Sequence, residues 1–282
     1  VKIIEYFPPF GNKAVTLQAD MKKSRDNYTF LTHAPVHRVI FTMAIPTIIS
    51  MLSTSMYNLA DTYFVGSINT QSVAAVGVSF AMMSVIQAVG FLYGHGSGNY
   101  ISRMLGAKEV EKAKKMASTG FVLSFLTGLL IAILGQLFLT PLCILLGSTT
   151  TIQPYAERYL GIILLGAPFM TTSLTLNNQM RFQGNAMYAM KGIMSGVLLN
   201  LILAPLLILY FAMGITGAAI ATLISQCFGC AMLFWMSAAK QKRNGFASSI
   251  ISRHHRAASQ HYSMIAPWLL FFYTLLTIAR EK

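Results

Sequence analysis

Tyr57, Asn58 and Asp61 stand at spacings of three and four inside residues 39–66, VIFTMAIPTIISMLSTSMYNLADTYFVG, a run otherwise dominated by apolar side chains. On a helix these three residues share one face. The run is long enough to cross a bilayer, which takes about 20 apolar residues. An ionised carboxylate at mid-membrane costs on the order of 3 kcal/mol, so it is kept where a cavity, a partner or a function offsets that cost. Asp61 lies near the far end of the run, which lowers the penalty without removing it. The polar stripe must therefore look inward, away from lipid. Pro46, in the first half of the run, removes a backbone hydrogen bond and marks an expected kink.

Other polar groups fall inside apolar runs: Tyr159, Asn177, Asn178, Asn200, Thr222 and Gln226, with Glu157, Arg158 and Arg181 nearer the edges. Taken singly, each is explained by a hydrogen bond between helices, worth about 0.6 to 2 kcal/mol. Their number, together with a carboxylate, points to a polar cavity among the helices. Desolvation favours the neutral form of a carboxyl group unless Arg or Lys lies close. Transport coupled to protons is thus the leading expectation from the residues. Na⁺ held by Asp, Asn and Thr oxygens is the competing one.

The elements that must position these groups follow from composition. Of 282 residues, 55% are hydrophobic and 10% charged, with a mean hydropathy of +0.58; a soluble domain carries roughly 25% charged residues. An all-α integral membrane protein is expected, because lipid offers backbone groups no partners. The formal charge of +13 is spread over several short links rather than one patch, which argues against nucleic acid as a partner. Cys143, Cys227 and Cys230 lie in or beside apolar runs. Cys227 and Cys230 read C-F-G-C, but without a second pair or spaced histidines they are expected to be buried thiols. No metal or organic cofactor is expected. H-E-x-x-H, G-x-S-x-G and paired catalytic acids are all missing, so an enzyme is not expected.

Six spans are read along the chain, near residues 37–64, 72–95, 116–139, 155–181, 191–211 and 218–239. Gly94, Gly96 and Gly98 follow no strand and precede no G-K-[ST], so close helix packing accounts for them better than phosphate binding. Arg103, Lys108, Lys112, Lys114 and Lys115 are expected in a solvated, amphipathic connector. Lys and Arg concentrate in the lead, after span two, between spans four and five, and after span six; every other link is nearly free of them. That alternation places both ends of a six-helix bundle on the cytoplasmic side of the plasma (inner) membrane. Residues 1–36 form an N-terminal lead, 37–240 the transmembrane lobe and 241–282 a basic tail. Met21, followed by Lys22, Lys23 and Arg25, reads as a natural start, which makes residues 1–20 candidate upstream sequence. In the tail, R-H-H-R at 253–256 precedes an apolar stretch, 264–278, that is short for a crossing.

Several stretches resemble the multidrug and toxic compound extrusion (MATE) family in its prokaryotic branch: IPTIISMLSTSMYNLADTYFVG, GSGNYISRMLGAK, YLGIILLGAPF, NNQMRFQGNAMYAMKGIMSGVLLNLILAPLLI and MGITGAAIATLISQ. The resemblance implies an antiporter that expels organic cations and other amphipathic compounds in exchange for H⁺ or Na⁺ by alternating access. Position by position, Tyr57, Asn58 and Asp61 resemble the family's first-helix site, with Asp61 as coupling carboxylate. Tyr159, Asn177 and Arg181 match fourth-helix positions, Asn200 a fifth-helix amide and Thr222 a sixth-helix hydroxyl. If Na⁺ rather than H⁺ is the coupling ion, Asp61, Asn177 and Asn200 are the residues that would hold it.

Two departures accompany the resemblance. Where the family commonly reads N-x-x-L-D-P, this chain reads NLILAP, so Ala204 stands in place of a second acid. Family members also resemble two six-helix lobes around a cleft, and one lobe is read here. A truncated or frame-disrupted product lacking the second lobe is the corresponding expectation. A non-transporting remnant or membrane assembly module is the alternative to an exporter.

Overall fold

The structure, a computed structural model, describes residues 34–243, with side chains to residue 237. The lead through residue 33 and the tail from residue 244, with the stretches 253–256 and 264–278, lie outside the described residues. The order of elements is α1 (Val36–Gly66), α2 (Thr70–Gly106), α3 (Val110–Leu137), a short α4 (Leu139–Leu145), α5 (Gln153–Phe182), α6 (Ala186–Pro205) running into a π-helical turn (Leu206–Tyr210), and α7 (Gly214–Arg243). Six of these helices, all but α4, are long and apolar enough to cross a membrane.

Local chemistry sets the joints. Asn69 caps α2, its Oδ1 accepting from the Ser72 backbone N–H at 2.7 Å. Gly184 closes the α5 to α6 joint at φ 78°, where a side chain would be strained. Pro205 has no N–H to donate, and the next turn widens so that the Phe211 N–H bonds the Leu206 carbonyl at 3.1 Å. The basic connector after span two is solvated as expected, with Arg103, Lys108, Lys112 and Lys115 exposed, and it is largely helical. α2 runs on to Gly106 and α3 begins at Val110, with Lys112–Glu109 and Lys114–Glu111 ion pairs at 2.5 and 2.7 Å on the first turn of α3. Charged residues did not stop a helix whose ends project beyond the apolar zone.

α5 is the hub. It packs on α2, α3, α4 and α6, and 61% of its most apolar window is buried against 11% for α1. Small residues let the backbones close. On α3, Gly120, Ser124, Gly128, Ala132 and Gly135 are buried at helical spacing, and Gly128 lies against Pro168 and Thr171 of α5. On α2, Gly94 and Gly98 meet Asn178 and Phe182 of α5, whereas Gly96 faces open space. Two of the three glycines expected to pack therefore do so. Hydroxyls and amides tie the same three helices: Thr171 donates to the Ser124 carbonyl at 2.9 Å, and Gln179 Nε2 to Ser97 Oγ at 2.9 Å.

α1 packs on α6 more than on α2 and reaches α7 through Tyr57 and Thr222. α7 lies against α6, where Gly196 and Gly229 let the two backbones meet. α1 continues as helix through Pro46, and Thr47, Ser50 and Thr54 each bond the carbonyl four residues back, at 2.8 to 2.9 Å. Such bonds weaken the regular ladder and favour bending. Cys143, Cys227 and Cys230 are free thiols; Cys143 and Cys230 are buried and Cys227 half-buried.

Candidate functional site

Short links make successive membrane helices antiparallel. The C-terminal thirds of α1 and α6 and the N-terminal thirds of α5 and α7 therefore lie toward one end of the bundle. Asp61, Asn200, Tyr159 and Thr222 each lie in one of those segments.

There Asp61 is buried, 7% exposed, and its Oδ1 is enclosed without a hydrogen-bond partner. Tyr57, one turn earlier, shares a 3.4 Å hydrogen bond between its hydroxyl and Thr222 Oγ1 of α7. Thr222 also accepts from Asn200 Nδ2 of α6 at 3.3 Å. Tyr159, 1% exposed on α5, lies within electrostatic range of Asp61. Four helices thus contribute to one polar nest around a carboxyl group. Its members can donate hydrogen bonds to a carboxylate, and Asp61 can hold a proton or a small cation. Asn58 shares the helix face but is only half-buried and donates no hydrogen bond to this group; its carbonyl accepts from Thr62.

Two expected members lie elsewhere. Asn177 is about five turns beyond Tyr159 on α5, roughly 27 Å away along the axis, and Arg181 is a turn further. The Asn177 amide donates to the Ala189 carbonyl on the first turn of α6, at 2.9 Å. Asn177 therefore ties α5 to α6 at the opposite end, and the ligand set Asp61, Asn177 and Asn200 does not assemble. Arg181 is half-buried at that end, its Nε enclosed without a partner. The antiparallel order of the spans already carried this information: the start of the fourth span sits beside the end of the first, and its finish does not.

Ala204, the position of the missing acid, follows Asn200 by one turn and is 1% exposed. It belongs to an apolar cluster with Tyr159, Ile208, Ala218 and Ala219. Gln226 was passed over as a site residue. It lies one turn beyond Thr222 on α7, with Nε2 3.7 Å from Met170 Sδ and a buried, unpartnered Oε1. The spacing of four from Thr222 was the signal for it.

Comparison with known proteins agrees with this architecture. The Staphylococcus aureus multidrug export protein MepA is 29% identical over 198 residues, covering 70% of this chain and 44% of that protein. A solved MOP superfamily transporter from Pyrococcus furiosus superposes with a TM-score of 0.68 at 30% identity, over 72% of this chain and 45% of that one. A crystal structure of MATE in the bent conformation superposes with a TM-score of 0.66 at 29% identity, over 78% of this chain and 46% of that one. The chain spans about half the length of the curated relatives it matches. A family model described as MatE matches residues 46–206, more than half of the sequence, and the chain belongs to that family.

Proposed function

We propose that this chain is the N-terminal lobe of a secondary active antiporter that exports organic cations or other amphipathic compounds in exchange for H⁺ or Na⁺. The observation that carries the reading is the buried Asp61 carboxyl group, one oxygen unpartnered, inside a nest built by Tyr57, Tyr159, Asn200 and Thr222. A charged group enclosed in this way is unstable unless a proton or a cation joins it. Taking up that cation changes what Asp61 asks of the hydroxyls around it. The rearrangement is transmitted along α1, which is the least buried of the six spans and carries Pro46 and its back-bonded hydroxyls in its first two thirds. Bending there narrows the cavity and displaces the exported compound. The loop charges orient the lobe with both ends cytoplasmic in the inner membrane. The second half of the cavity comes from a further lobe of the same fold, in keeping with relatives about twice as long.

Asp61→Asn in a transporter that contains this lobe and its second half is expected to abolish cation-coupled export of ethidium from loaded cells. Unchanged pH-dependent efflux overturns the coupling assignment. Imposing a pH gradient and a Na⁺ gradient in turn on vesicles tells the two coupling ions apart. The share of the relatives that is matched favours a second reading, a membrane module that inserts and assembles without transporting by itself.

A further inference from the structure

Between α5 and α7, deeper than the carboxyl nest, lies a side chain that coupling does not use. Gln226 follows Thr222 by one turn on α7, so it lies on the same face and roughly 6 Å deeper. On α5, Gly166 and Met170 follow Tyr159 by seven and eleven residues and likewise continue its face. Gln226 reaches across to both: Oε1 lies against Gly166, where a Cβ would come within 2.7 Å of it, and Nε2 lies 3.7 Å from Met170 Sδ. A thioether is a weak acceptor. Oε1 has no partner at all. An amide at membrane depth with its strong acceptor unused and its donor spent on sulfur is unfavourable unless something else completes it. The residue is only half-buried, so rotation of the amide brings Oε1 to its exposed side.

We infer that Gln226 is a substrate-reading group, whose amide oxygen accepts a hydrogen bond from an N–H donor of the exported cation while Asp61 handles the coupling ion. This rests on the exporter reading above. A neutral acceptor of this kind adds selectivity among cations without adding charge. It favours amines and amidines, which carry N–H donors, over cations whose charge is shielded by carbon.

The test is equilibrium binding to the full chain in lipid nanodiscs, with two probes: ethidium, whose amino groups donate, and tetraphenylphosphonium, which has no N–H. Gln226→Met keeps side-chain length and removes the acceptor. It is expected to weaken ethidium binding about tenfold while tetraphenylphosphonium stays within about twofold. The ratio of the two affinities is read within one preparation, so partial loss of folded protein cancels. Equal weakening of both probes, or no change in either, overturns the inference and leaves the exporter reading standing. Binding of neither probe to the unsubstituted chain overturns the inference that this lobe carries a substrate contact, while the exporter reading is decided by the Asp61→Asn efflux test.

Discussion

Tyr57 on α1 and Thr222 on α7, separated by 165 residues in sequence, share a hydroxyl-to-hydroxyl hydrogen bond of 3.4 Å. The same Thr222 oxygen accepts from Asn200 at 3.3 Å. This chain of polar contacts couples α1 to the α6 and α7 pair beside Asp61.

Tyr57→Phe removes the phenolic end of that chain and leaves the ring. Both contacts are long, so their coupling belongs at the weak end for helix pairs in membranes, about 0.6 kcal/mol. A double-mutant cycle with Thr222→Val, read by denaturant unfolding in detergent micelles, is expected to return an interaction of that size. Full additivity would show that the two hydroxyls act independently.

Ala204→Asp places a carboxyl group in a close-packed apolar cluster. Overpacking and an unpaired buried polar group together are expected to destabilise the lobe by about 1 to 3 kcal/mol. The same unfolding measurement checks it. A neutral or stabilising outcome would mean that the surroundings of Ala204 still accommodate a second acid.

Gly128→Ala and Gly96→Ala are expected to part in sign. At Gly128 the new methyl group meets the Pro168 Cα and the Ala167 carbonyl of α5, and neither can move alone, so a loss of about 1 to 3 kcal/mol follows. At Gly96 it meets open space, and removing helical glycine entropy contributes about 0.5 to 1 kcal/mol of added stability. Thermal unfolding of the two variants side by side decides whether α3 and α5 are held by backbone approach.

Expressed alone, the 282-residue chain is expected to give no resistance to ethidium above an empty-vector control. α1 leaves large apolar side chains such as Ile40, Phe41, Met56 and Leu59 more than half exposed, and alternating access needs a second wall to move against. Growth inhibition assays in a drug-sensitive host measure it. Resistance above the control would show that this lobe, or a pair of its copies, transports.

The six spans, their succession and the inward polar face of α1 were legible in the sequence, because apolar length and helical spacing depend only on local composition. The depth of each polar group was legible too. Antiparallel succession puts Asp61, Tyr159, Asn200 and Thr222 at one end and Asn177 with Arg181 at the other, although a grouping by resemblance alone had joined them. Lateral neighbours were not legible. Lipid and helix surface are equally apolar, so hydropathy does not say which helix faces which. Which backbones close on which was decided by glycines and small residues meeting in three dimensions, as Gly128 does Pro168 and Gly196 does Gly229. Only that packing brought the Tyr57 hydroxyl to Thr222 and left Gln226 reaching across to Met170.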